Sequence, residues 1–172
     1  MTPAAGAAGA WRAMAAADLP AVDRIGRIVH PGYPEPPAVA AERLALFPAG
    51  CAVAERGGEP IGYALAHPGR LGRPPALATP LGALPAAPDC LYLHDIALLP
   101  AARGLGLGES VLLRLRAVAA AAGLARLALT AVGGSVPYWT RHGFAAWAPD
   151  RVSPALASYG AAAVYMVAEA GA

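Results

Sequence analysis

Residues 89–109 read Asp89-Cys90-Leu91-Tyr92-Leu93-His94-Asp95-Ile96-Ala97-Leu98-Leu99-Pro100-Ala101-Ala102-Arg103-Gly104-Leu105-Gly106-Leu107-Gly108-Glu109, an apolar run, a proline, then an arginine among glycines. Leu91 to Leu99 has the near-continuous apolar character of a buried strand, interrupted only by His94 and Asp95. Pro100 ends it. Beyond the glycines, Leu107, Val111, Leu115, Val118 and Ala122 recur at three- and four-residue steps, the spacing of one apolar helix stripe. Strand, glycine turn and helix therefore form one unit. Glycine lets a backbone approach a ligand closely, and the first turn of a helix offers free N–H groups at the positive end of its dipole. Phosphate suits such a place.

Two phosphate motifs fail on these letters. A dinucleotide fingerprint starting at Gly104 needs a small residue where Glu109 stands, and no Gly-Lys-Ser/Thr follows for a P-loop. What fits is R-x-x-G-x-G, carried by Arg103, Gly106 and Gly108 between a strand and a helix. A glycine-rich turn that binds nothing is the plain alternative. The motif resembles the pyrophosphate-binding segment of the GNAT family of N-acetyltransferases, which hold acetyl-CoA. The resemblance implies that the N–H groups of Arg103, Gly104, Leu105, Gly106, Leu107 and Gly108 cradle the pyrophosphate. It also implies that Ile96, Ala97 and Leu98, at the end of the strand, pair with the pantetheine arm.

Composition narrows the classes. The chain has 172 residues and a net charge of +2, so one domain with a real core is expected, 11–172 after a loose Ala/Gly-rich tail over 1–10. It has no lysine, and its 13 arginines are scattered singly. Neither a basic stripe for nucleic acid nor a Schiff-base lysine is available. The most apolar segment, Val111 to Val132, is broken by Arg114, Arg116 and Arg126 and does not read as a membrane span. Cys51 and Cys90 sit at expected strand starts, which suits reduced thiols, and the tail lacks a signal-peptide pattern, so a cytoplasmic location is expected.

Along the chain, Trp11–Ala16 reads as a strand, and Asp18 and Pro20 open a helix that runs to Val29 and closes at His30. The prolines of 31–37 exclude regular structure there. A helix over Ala38–Phe47 follows, then a hairpin of Cys51–Glu55 and Pro60–His67 across Gly57-Gly58. Pro68–Pro88 is a connection long enough to serve as a functional loop. Past the central unit come a strand Ala125–Val132, a helix Val136–His142 capped by Gly133-Gly134-Ser135, a strand Phe144–Ala148, a loop and a last strand Ala161–Ala168.

This order resembles the GNAT fold throughout, an α/β (α+β) class with a mixed, mostly antiparallel sheet flanked by helices. Val136-Pro137-Tyr138-Trp139-Thr140-Arg141-His142-Gly143-Phe144 resembles the late aromatic-pair helix of that family. Phe47–Glu55 with Gly58–Tyr63, and Val136-Pro137, resemble its arylalkylamine N-acetyltransferase branch. The family resemblance implies a co-substrate, acetyl-CoA, and no metal. It also implies that the central strand and Ala125–Val132 splay where the pantetheine enters, so that the central strand faces the acceptor.

On a regular strand, Tyr92 and His94 share one face and Asp95 points to the other, unless a bulge intervenes. His94 is the first candidate for general base, since imidazole titrates at about 6.5; a polar tie within the sheet is the alternative. Asp95 is the second candidate, as a water activator or a partner for the amine's charge. In many relatives the second residue of the aromatic pair is a tyrosine that protonates the leaving thiolate; Trp139 stands there and an indole cannot do so. That leaves Tyr138 as a candidate acid, about 100° around the helix, with Trp139 at the cofactor. Gly133 replaces a frequent asparagine. Tyr33 and Glu35 fall where the family lines its acceptor site and would, with Tyr92, bind the substrate; an ordinary solvated loop is the alternative. His67, ending the hairpin, reads as a strand-end residue, with a place facing the same site as the alternative, and His30 and His142 read as helix caps.

The expected activity is transfer of an acetyl group from acetyl-CoA to a small primary amine such as an arylalkylamine or polyamine. Acetylation of a protein N-terminus, and acyl-CoA binding without turnover, are the alternatives. The resemblance also leaves a homodimer open.

Overall fold

The computed structural model describes residues 8–171. The expected tail falls outside the described residues over 1–7, and Ala10 already belongs to the first strand. In chain order the elements are β1 (Ala10–Ala13), α1 (Leu19–Val29), α2 (Pro37–Leu46), β2 (Cys51–Arg56), β3 (Glu59–Gly69), β4 (Cys90–Leu98), α3 (Leu107–Ala121), β5 (Arg126–Ala131), α4 (Val136–Arg141), β6 (Ala145–Ala146) and β7 (Val164–Glu169). The strands form one seven-stranded sheet in the order β1-β2-β3-β4-β5-β7-β6. Every pairing is antiparallel except β4 with β5, which the α3 crossover makes parallel. This is the mixed α+β sheet that the element order implied.

The sheet has two covered faces. Leu91 and Leu93 of β4 join Leu127 and Leu129 of β5 and Val111, Leu112, Leu115 and Ala119 of α3 in the largest core cluster. On the opposite face, Val22 and Ile25 of α1 pack on Val53, Tyr63 and Leu65. Cys90, Tyr92 and Tyr165 are covered there by Leu71, Trp147, Val152 and Leu156 from the loops. Both cysteines are free and buried. No helix among the described residues is long and apolar enough to cross a membrane.

Several boundaries move for local reasons. The first strand stops at Ala13 because the chain turns into a short 3-10 segment, Ala16–Asp18. Asp18 occupies the N-cap position of α1, yet its side chain makes no cap bond. Its carboxylate instead accepts the Ala15 N–H and pairs with Arg12, both at 2.8 Å. Ser135, before α4, also makes no side-chain cap. The stripe on α3 turns slightly: Ala122 lies beyond the helix end and is exposed, Val118 is half-buried, and Leu112 and Ala119 complete the buried face. The strand expected over Phe144–Ala148 shrinks to Ala145–Ala146, with Phe144 drawn into the core. The last strand starts at Val164, after a turn at Gly160–Ala163.

Candidate active site

The β4–β5 ladder joins Leu91 to Leu127, Tyr92 to Ala128 and Leu93 to Leu129, and goes no further. Past that point the strands diverge and a cavity of about 640 Å³ opens between them. One end reaches the start of α3 and α4, at Gly108, Ser135, Tyr138 and Trp139. The other reaches the α1–α2 loop, at His30, Tyr33 and Glu35, with Leu77 and Tyr159 beside them.

At the first end, Gly104 and Gly106 take left-handed conformations, with φ of +74° and +68°. A Cβ built on either would meet nothing within 4 Å, so the turn faces open space. Gly106 is the N-cap of the 15-residue α3, whose first N–H groups have no intrahelical partner. The N–H groups of Arg103 and Leu105 already bond Pro100 and Ala102 within the turn. Arg103 is exposed, and Leu107 is buried with its carbonyl taken by the Trp11 indole at 2.9 Å. At Gly108 a Cβ would lie 2.7 Å from the Tyr138 hydroxyl, so the absent side chain is what lets that phenol lie over the turn. Trp139 packs edge-on against Phe144, with ring centroids 5.5 Å apart. Ile96 and Leu98 line the cavity, whereas Ala97 faces the α1 side of the sheet and is buried there.

At the second end a bulge decides which side chains meet. Leu65 pairs with Asp95 and Ala66 with Leu93, which leaves His94 without a partner on β3. The extra residue resets the alternation. His94 and Asp95 are consecutive, yet both reach the face that carries the α1–α2 loop. His94 Nε2 lies 2.8 Å from Glu35 Oε2. His30 Nε2 lies 3.0 Å from Asp95 Oδ1, and Tyr63 donates to Asp95 Oδ2 at 2.5 Å. The prolines at 31, 34, 36 and 37 stiffen the loop that brings His30 and Glu35 to these positions.

The electrostatics follow from the pairing. Burial pushes the Glu35 and Asp95 carboxyls up, but hydrogen bonds from His94 and from His30 outweigh it and hold both below the usual carboxylate range. Burial opposes protonation of His30, and Asp95 overcomes it, so His30 titrates above its ordinary value. Tyr63 is raised by burial and by the adjacent Asp95, so its hydroxyl stays protonated. The Tyr138 phenol is raised by burial and by Glu109.

The long connection roofs this end. Ala78 donates its N–H to Glu35 Oε1 at 3.0 Å, from a φ of +57°. Leu81 and Gly82 donate to Glu42 at 2.7 and 3.0 Å. Leu77 N–H bonds Ser158 Oγ, and Tyr159 donates to the Pro75 carbonyl.

Of the residues singled out in the sequence, His94, Asp95, Ile96, Leu98, Gly108, Tyr138, Trp139, Tyr33 and Glu35 line one cavity. Tyr92 does not. It is 2 % exposed, its hydroxyl is 2.8 Å from Thr130 Oγ1, and its ring stacks on Tyr165. The sequence reading missed His30, Tyr63 and Tyr159. His30 stands at the C-cap of α1 as read, but its ring pairs with Asp95; Tyr159 ends the short 3-10 segment Pro154–Tyr159, which carries no motif.

The family model described as "Acetyltransferase (GNAT) family" matches residues 19–144. No curated protein sequence matches the chain. Among solved structures, Ard1 from Thermoplasma volcanium superposes with a TM-score of 0.71 at 15% identity, over 94% of this chain and 97% of that one. The GphF GNAT-like decarboxylase in complex with isobutyryl-CoA gives 0.75 at 16%, over 94% and 99%. The ribosomal-protein-S18-alanine N-acetyltransferase from Escherichia coli gives 0.63 at 17%, over 94% and 93%.

Proposed function

Since this chain belongs to the GNAT acetyltransferase family, we propose that it is an acetyl-CoA-dependent N-acetyltransferase of a small primary amine. One observation carries the reading: a single cavity runs from Gly108, in the first turn of α3 and two residues past the open glycine turn, to paired histidines and carboxylates. The fit to the cofactor rests on Gly104 and Gly106, whose conformations and open surroundings leave backbone N–H groups free for phosphate oxygens. Gly104, Gly106, Leu107 and Gly108 supply those groups. Ile96 and Leu98 form the wall for the pantetheine arm, and Trp139 backs it.

Bound acetyl-CoA supplies the thioester carbonyl and the leaving thiolate. The chain's own residues do the rest. An amine arrives as an ammonium, and the carboxylates of Glu35 and Asp95 attract it beside the aromatic ring of Tyr33. Glu35 is ionised, so the neutral His94 ring donates its Nε2–H to it and keeps the basic lone pair on Nδ1. His94 takes the ammonium's proton through water and Glu35 stabilises the resulting imidazolium. Tyr138, whose phenol is raised above its ordinary value, is placed to give its proton to the thiolate.

The roof supports a small acceptor. Leu77 and Tyr159 line the acceptor end beside a connection bonded to Glu35, Glu42 and Ser158, which favours a small amine over a polypeptide N-terminus. The arylalkylamine resemblance has no counterpart among the structures compared above, so the amine class rests on the cavity alone. The test is calorimetric titration of acetyl-CoA into wild type, Gly106→Ala and Gly106→Trp, followed by thiol release over a panel of amines and peptides. Saturable binding kept in the alanine variant, lost in the tryptophan variant and followed by turnover with small amines supports the proposal. Binding without turnover on any amine indicates a sensor, turnover on peptides alone a protein acetyltransferase, and a folded wild type that binds nothing overturns the enzyme reading.

A further inference from the structure

His67 lies on β3, is 2 % exposed, and has its Nδ1 2.9 Å from the Pro68 carbonyl oxygen. A carbonyl only accepts, so Nδ1 carries the hydrogen and Nε2 bears a lone pair. That Nε2 is buried and has no partner among the described residues. Its neighbour is His94, with ring centroids 6.2 Å apart and a side chain 1% exposed. His94 gives its Nε2–H to Glu35, so its lone pair is on Nδ1, which is likewise buried and unpartnered.

Neighbouring rings thus bury two acceptor nitrogens that cannot satisfy one another. A water, with two O–H donors, can satisfy both nitrogens of the neighbouring rings. The surroundings keep His67 neutral. Arg43 and Glu42 act on it from α2, His94 and Tyr92 adjoin it from β4, Glu35 stands beyond His94, and Asp95 follows on His94's own strand. Burial lowers His67 to about 4 against the opposing Pro68 hydrogen bond, and Arg43 and a protonated His94 act in the same direction as burial.

We propose that His67 is a positioning residue for the base: His67 Nε2 and His94 Nδ1 share one buried water, through which the acceptor's proton reaches His94. An N–H bond of the ammonium breaks as an O–H bond forms on that water, and the water passes one of its own hydrogens to Nδ1. The products are the free amine, the same water and an imidazolium with Nε2–H on Glu35 and Nδ1–H on the water oxygen. Throughout, the water keeps its other O–H on His67. The kinetic part of this inference rests on the acetyltransferase reading; the tautomers do not.

Nitrogen-15 NMR of histidine-labelled protein across a pH series tests the arrangement without any turnover. His67 should be the Nδ1–H tautomer and stay neutral through pH 5, and neutral His94 should be the Nε2–H tautomer; an Nε2–H His67 overturns the proposal. Kinetics supply the second arm. His67→Phe should lower kcat/KM by about tenfold and move the acidic limb of its pH profile, with the Kd for acetyl-CoA unchanged. His67→Gln, whose side-chain carbonyl accepts a hydrogen bond, should restore most of the rate. A His67→Phe enzyme with the wild-type rate and profile overturns the role. If no amine is turned over by the wild type, the acetyltransferase reading fails and the tautomer measurement still decides the arrangement.

Discussion

Glu35 and His94 stand 59 residues apart in the chain and meet at 2.8 Å, carboxylate oxygen to imidazole nitrogen. The contact couples a loop to a strand and gives the proposed base a fixed counter-charge. His94→Ala should lower kcat/KM by about 10²–10⁴-fold and leave the Kd for acetyl-CoA nearly unchanged. Glu35→Gln keeps the volume and loses the charge, so it should cost about ten- to a hundredfold. Thiol release checks both, and an unchanged rate in His94→Ala would remove that residue from proton transfer.

The His30–Asp95 pair sets a stability window. His30 is raised above 6.5, so its contribution is complete below that value and fades as pH climbs through the raised one. Asp95 is lowered below 3.8, so its contribution is complete above that value and fades as pH drops through the lowered one. Both contribute in full between about pH 4 and 6.5. His30→Phe should cost about 1–3 kcal/mol at pH 5.5 and lose part of the wild type's decline toward pH 8.5, as read from urea midpoints.

His67 acts in the opposite sense within that same window. Its buried neutral ring titrates at about 4 against an ordinary 6.5, so the unfolded chain binds the extra proton first. Stability should therefore fall by about 3 kcal/mol as pH drops from 6.5 to 4. Denaturation curves of His67→Phe should lack that slope.

Tyr138 reaches its place over the α3 turn because Gly108 has no side chain. Gly108→Ala should displace the phenol and lower kcat with little loss of helix stability. Tyr138→Phe should reproduce the kinetic effect without the displacement, and about tenfold is expected for each. A kcat insensitive to Tyr138→Phe would assign the thiolate's proton to water.

Ala78 holds a left-handed conformation, φ +57°, while donating to Glu35. An alanine there is strained by about 1–2 kcal/mol, whereas glycine loses about 0.5–1 kcal/mol through its freer unfolded state. Ala78→Gly should leave stability unchanged or raise it by up to about 1 kcal/mol. A loss of that size in chemical denaturation would contradict the strain argument.

The fold was legible because its signals are local. The apolar run of β4, the glycines after Pro100 and the stripe on α3 each reflect the geometry of one element, and their order implied the sheet. Half of the candidate site was legible for the same reason, since Gly106, Gly108 and Trp139 lie on one unit or beside it. His30 and Tyr159 were not, because their roles come from long-range packing against Asp95 and beneath the long connection. Tyr92 shows the converse. Alternation put it beside His94, but its hydroxyl finds Thr130 on β5 and its ring finds Tyr165, so it serves the core. Asp18 looked like a cap and became Arg12's partner because β1 lies close enough to compete for it.

The unpaired residue on β4 makes the chemistry of this end a question of parity. Up to Leu93, odd-numbered side chains of the strand face α3; beyond the bulge, Asp95 and Ala97 face α1 instead. Deleting His94 would shorten the chain by one residue and let the ladder close without interruption. Asp95 would keep its side of the sheet and its histidine, but Glu35 would lose its own. A single-residue deletion would thus separate the two pairs, retaining His30–Asp95 and removing His94–Glu35 together with the proton step proposed for it.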